Sequence, residues 1–143
     1  MPDLLLALVA WLTTLLGSAD EAPECLVLGR LDVVRAAAFT RDEPALLDDV
    51  YADPALRERD RRVLDAYRER DLRLVGLGLH RVACRVVSRA DGTVVLDVTD
   101  RLGPTWVVRD GERRALPRDG GSRRTVTLRR DDVGWRVASS TDG

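Results

Sequence analysis

The sequence predicts an α+β fold, with three N-terminal helices packed on a curved antiparallel sheet of four to five strands. Three observations carry this. A helical period holds from about Cys25 to Arg70. Val-rich runs with period-two alternation then take over, from Leu72 to the C-terminus. Short turn signals separate those runs, the strongest being Asp91-Gly92 between Leu72–Arg89 and Thr93–Asp100. Gly at such a turn accepts positive φ without a Cβ clash, which makes Asp-Gly the best short-range hairpin signal. Helices followed by a meander give helices layered on one sheet face.

Composition bounds the possibilities. At 143 residues the chain holds one domain plus a short extension, read as residues 1–20 and 21–143. All 23 basic residues are Arg, and Lys, Asn, Gln and Ile are absent, a bias expected of a high-GC genome. Residues 1–71 carry 9 Arg against 15 acids, and residues 72–143 carry 14 Arg against 9. A basic sheet is thereby expected, but no aromatic residues interleave with the Arg as nucleic-acid readers require, so no nucleic-acid partner is expected.

Leu4–Ala19 carries no charge, and Leu4–Leu16 is nearly all apolar. That core is short for a membrane span and suits a signal-peptide apolar region, with Gly17-Ser18-Ala19 as a cleavage site. Met1-Pro2-Asp3 lacks the usual positive charge, so the end of a membrane anchor is an alternative. Either reading puts the domain in the cell envelope, membrane-anchored or secreted. Cys25 follows Pro23-Glu24 and is not a lipoprotein cysteine.

In the first helix Val27, Leu31, Val34 and Ala38 share a face, with Arg30, Asp32 and Arg35 off it. Asp42 is expected to cap a second helix with Pro44 in its first turn, and Asp53-Pro54 to open a third. Leu56, Val63, Leu64 and Tyr67 are its expected inward residues, and its charges form a solvated face. The long strand changes parity between Val75-Leu77-Leu79 and Val82-Cys84-Val86, which predicts a bulge near His80 or burial on both faces. Gly76 and Gly78 let it bend. Thr105–Arg109, Arg124–Arg130 and Trp135–Ala138 complete the sheet, with turns at Asp110-Gly111 and Asp131–Gly134 and a basic loop through Asp119-Gly120-Gly121.

Few residues carry chemistry. Asp100 shares parity with Val94, Leu96 and Val98, so it projects to the core side and is the candidate general base; a strand-ending ion pair is the competing reading. Tyr51, Tyr67, Trp106 and His80 are the candidate ligand-binding residues, or core aromatics with satisfied polar ends. One His and two distant Cys make no metal site, and no phosphate-cradling glycine motif is present, so neither metal nor cofactor is expected. In an exported protein Cys25 and Cys84 suggest a disulfide between the first helix and the long strand, worth roughly 3–4 kcal/mol; two separate buried thiols are the alternative.

The segments Leu31–Tyr51 and Arg59–Leu77, the run VVLDVTDRL, and the later ALPRDGGSRRTVTLRR and GWRVAS resemble the nuclear transport factor two-like superfamily, also called cystatin-like. More narrowly they resemble an uncharacterised envelope-associated group from high-GC Gram-positive bacteria. The resemblance covers about residues 25–140 and implies a cone-shaped α+β fold enclosing a cavity. It implies either a non-enzymatic domain that binds a protein partner or apolar small molecule, or an enzyme resembling ketosteroid isomerases and SnoaL-like cyclases. The first is favoured, with homodimerisation left open, because fold alone does not assign function.

Overall fold

The computed structural model describes residues 21–118 and 120–143. The apolar segment within residues 1–20 and Asp119 of the basic loop lie outside the described residues. Helix α1 spans Pro23–Thr40, a short 3₁₀ helix spans Pro44–Asp49, and helix α2 spans Pro54–Glu69. Seven strands follow: β1 Arg73–Val75, β2 Leu79–Ala90, β3 Thr93–Leu102, β4 Trp106–Arg109, β5 Glu112–Ala115, β6 Ser122–Arg130 and β7 Trp135–Asp142. They form two antiparallel sheets, ordered β2-β3-β6-β7 and β1-β4-β5. The fold class is the α+β layering that the sequence predicts, but the strand number is higher than four to five.

The difference arises at two places. The expected long strand is two strands: Gly76, at φ 75°, turns the chain out of β1, so that β1 pairs β4 while β2 pairs β3. A Cβ on Gly76 would lie 2.9 Å from Trp106 Cζ3 and 3.0 Å from the Pro104 carbonyl oxygen, so the close approach of β4 also requires glycine there. The second place is Glu112–Ala115, an all-polar tetrapeptide but for Ala115, which pairs with β4 beyond the Asp110-Gly111 turn. It offers no apolar alternation to read.

The β2–β3 hairpin turns at Asp91-Gly92, with Ala90 opposite Thr93. The parity change is made by register shifts between Arg81 and Ala83 and again between Val86 and Ser88. The displaced residues, Val82 and Val87, are exposed, so Val82 does not face inward as its parity suggested. Inward positions opposite Asp100, Val98, Leu96 and Val94 are therefore Arg81, Cys84, Val86 and Arg89.

Leu28, Leu47, Val50, Leu96, Val98, Val126 and Leu128 form the fully enclosed centre between helices and the larger sheet. Asp53 caps α2 as expected, accepting a 2.9 Å bond from the Ala55 amide. Asp42 does not cap the second helix. It adopts a left-handed conformation at φ 54° and its carboxylate accepts from Arg68 at 2.7 and 3.1 Å, tying α1's end to α2. Val63 is exposed on α2, and Asp60 occupies the inward stripe with Leu64. Among the described residues no helix is long and apolar enough to cross a membrane.

Candidate functional site

Asp32 and Arg35 fall on the same side of α1 as Cys25, Leu28 and Phe39, at helical steps of three and four. That side faces the sheet, so both charges are turned inward rather than to solvent, contrary to the expected helix face. β2 meets them with Arg81, β3 with Asp100 and β6 with Arg124. Arg81 donates to Asp100 Oδ1 at 3.3 Å, to Asp32 Oδ2 at 2.5 Å and to the Cys25 carbonyl at 3.0 Å. Arg124 Nε donates to Asp100 Oδ2 at 2.8 Å, and its Nη2 lies 3.6 Å from Asp32 Oδ1. Two carboxylates and two guanidiniums thus alternate around one ring. Burial pushes the Asp32 carboxyl above its usual range, against the pull of Arg124 and Arg81.

A second network lies beside it. Asp60, 2% exposed on α2, accepts from Arg35 Nε at 2.7 Å and Arg35 Nη2 at 3.1 Å. The Tyr51 hydroxyl donates to Asp60 Oδ2 at 2.7 Å. Burial, and the hydrogen bond to Asp60, push the Tyr51 phenol up to about 12, against the opposing pull of Arg35. For Arg35 burial is the largest influence and favours the neutral form, but the hydrogen bond to Asp60 and the nearby Tyr51 and Asp60 together outweigh it and raise the guanidinium further. Tyr51 is held in place by backbone bonds to β7, Ala52 N–H to the Val137 carbonyl and Val137 N–H to the Val50 carbonyl, each 2.8 Å.

Of these groups Asp32, Arg35, Tyr51, Asp100 and Arg124 line a cleft of about 330 Å³ between the helical layer and one end of the larger sheet. Val50, Leu79, Leu102 and Val137 are its apolar walls, and Arg59, Arg101, Ser122 and Ser140 add polar groups. A volume of this size suits a small molecule.

Of the sequence candidates, Asp100 and Tyr51 come together in this cleft. Tyr67 does not: it packs edge-on against Phe39, 6.5 Å between ring centroids, over a separate hollow with Leu64 and Leu74. Trp106 belongs to the smaller sheet, where the Arg113 guanidinium sits 4.0 Å over its ring. His80 is exposed on β2 and packs near Gly103, outside the cleft. Cys25 and Cys84 form a disulfide, with Cα atoms 6.1 Å apart, joining α1 to β2. Such a cross-link favours an oxidising, extracytoplasmic compartment. Among the described residues no three His, Cys, Asp or Glu side chains group to hold a metal ion.

Sequence reasoning missed Asp32, Arg35, Asp60, Arg81 and Arg124. The spacing 25-28-32-35-39 and the stripe Leu56-Asp60-Leu64 carried the signal for three of them. A charged residue on an apolar stripe is read as off-face unless its partner is known.

No protein-family model matches the sequence, and no curated protein matches it. By structure the chain is similar to the crystal structure of the intermembrane space region of the chloroplast protein ARC6, with a TM-score of 0.56 and 12% identity over 86% of this chain and 96% of that one. Likeness at this identity is one of fold: helices layered on an antiparallel sheet, with no residue of the cleft assigned by it.

Proposed function

We propose that the chain is a non-enzymatic binding domain of the nuclear transport factor two-like type, working in the cell envelope. Residues 1–20 serve as its export signal or anchor, and residues 21–143 as the domain. Its cleft takes an apolar small molecule or an apolar part of a partner protein. One observation carries the reading: the groups that chemistry would need are already engaged. Both oxygens of Asp100 accept from guanidinium groups, and the Tyr51 hydroxyl is given to Asp60. A general base needs a lone pair within reach of the substrate proton. Each Asp100 oxygen already gives one of its lone pairs to a charge-assisted bond, which fixes the carboxylate between Arg81 and Arg124 as a structural partner. The disulfide and the shared fold with an intermembrane space region support the extracytoplasmic setting.

A thermal-shift panel of lipids, steroids and polyketide-like acids on the purified protein tests this, with turnover followed in parallel. The expected result is a rise of several degrees in Tm for one chemical class, with no product. Conversion of a steroid or polyketide that is lost in Asp100→Asn would replace the reading with an isomerase or cyclase.

A further inference from the structure

The charges around the cleft are not fully cancelled. Asp32, Asp60 and Asp100 are matched by Arg35, Arg81 and Arg124 in the ion pairs described. Arg59 and Arg101 remain. They reach the cleft from α2 and β3, are exposed, and have no ion-pair partner among the described residues. A further donor is left over inside. Arg124 Nη2 is buried yet has no hydrogen-bond acceptor in reach, because Asp32 Oδ1 at 3.6 Å is too far for one. Leaving such a donor unpaired is costly, and an acceptor entering from the cleft would relieve that cost. Ser122 and Ser140, on the inward side of β6 and β7, add two hydroxyls to the same lining. The apolar part of the same lining is Val50, Leu79, Leu102 and Val137.

We propose that the cleft binds a small amphipathic carboxylate. Its anionic head meets Arg59 and Arg101 at the mouth, with Arg124 and the serine hydroxyls as further donors, and its apolar body lies on the Val50–Val137 wall. This rests on the cleft being a binding site and specifies what it selects. A cation is disfavoured because each carboxylate in the lining already accepts from guanidinium groups. A neutral apolar ligand would leave the Arg59 charge and the Arg124 donor uncompensated.

The test uses three probes of one chain length with the purified full chain: decanoate, decan-1-ol and decyltrimethylammonium, each titrated calorimetrically. Decanoate is expected to bind at least about tenfold more tightly than either of the others, the worth of one charge-assisted hydrogen bond. Its affinity falls as salt rises, because Arg59 is exposed. Arg59→Gln should weaken decanoate about tenfold and leave decanol unchanged, with the ligand-free Tm as the check on folding. Ser140→Phe, which fills the cleft, should abolish binding of all three. Equal binding of decanoate and decanol, both lost in Ser140→Phe, overturns the anion assignment while the cleft stands as a binding site. Binding of no probe, or binding unaffected by Ser140→Phe, overturns both.

Discussion

Asp60 shows why a buried carboxylate need not signal catalysis. It is held by a bidentate guanidinium and a phenol, the full set of donors that an enclosed carboxylate requires. Removing it leaves the half-buried Arg35 charge without a partner. Asp60→Ala is therefore expected to cost about 3 kcal/mol in urea unfolding, and Tyr51→Phe, which leaves the ion pair intact, about 1–2 kcal/mol. The reverse order would show that the phenol, not the ion pair, holds α2 to α1. Asp97 behaves differently, on the outer face of the larger sheet between Arg123 and Arg85. The hydrogen bond from Arg123, helped by Arg85, pulls its carboxyl down to about 2. A lowered folded-state pKa adds stability that is fully present above the unfolded value near pH 4 and lost as pH falls towards 2. Asp32 has the opposite sign: its raised pKa means that stability declines as pH rises above about 4 through the shifted value. Asp97→Asn should remove its share of the acid sensitivity, so that wild-type and variant unfolding curves converge at the acid end. Parallel curves from pH 6 to 2 would contradict the Asp97–Arg123 pairing. At this scale the sequence was half legible. Asp100's inward parity could be read from Val94, Leu96 and Val98, but Arg81 could not be matched to it, because the shift beyond Arg81 reset the count.

β2 carries much of the architecture among the elements. Its two register shifts expel Val82 and Val87 and keep Arg81, Cys84, Val86 and Arg89 towards α1. Three cross-ties follow: the Cys25–Cys84 disulfide, the Arg81–Asp32 bond and the Arg89–Glu24 pair at 2.7 Å. Reduction, or Cys84→Ala, should lower unfolding stability by roughly 3–4 kcal/mol for a cross-link separated by 59 residues in sequence. An unchanged denaturation midpoint would mean that the other two ties suffice. Gly76 is the pivot between the sheets, and Gly76→Ala should cost about 1–3 kcal/mol, since positive φ and the fixed Pro104 carbonyl both oppose a Cβ. A neutral result would show that β1 and β4 can separate. Helices, hairpin and turns could be read because caps and glycines act locally. The division into two sheets could not, because it depends on which strand β1 meets thirty residues later. β5 has no apolar pattern at all.

For the whole molecule, the layering of helices on a sheet follows from patterning, while the cleft follows from what patterning leaves unfilled. The apolar centre runs from Leu28 and Leu47 to Leu96 and Leu128. Towards one end of the sheet the inward positions become Asp100, Ser122, Arg124 and Ser140, and the helices answer with Asp32 and Arg35. Charges in ion pairs cannot close up as Leu and Val do, so the layers stay apart there and a cleft remains. In the proposed function this cleft receives the ligand while the ion pairs around it serve structure. An NMR titration of amide shifts with decanoate tests that most directly. Shifts are expected to concentrate at Val50–Tyr51, Leu102, Ser122 and Val137–Ser140 and to saturate together. Shifts centred instead on the exposed Leu26, Val33 and Val82 would contradict it, and would move the binding surface to the outer side of α1 and β2.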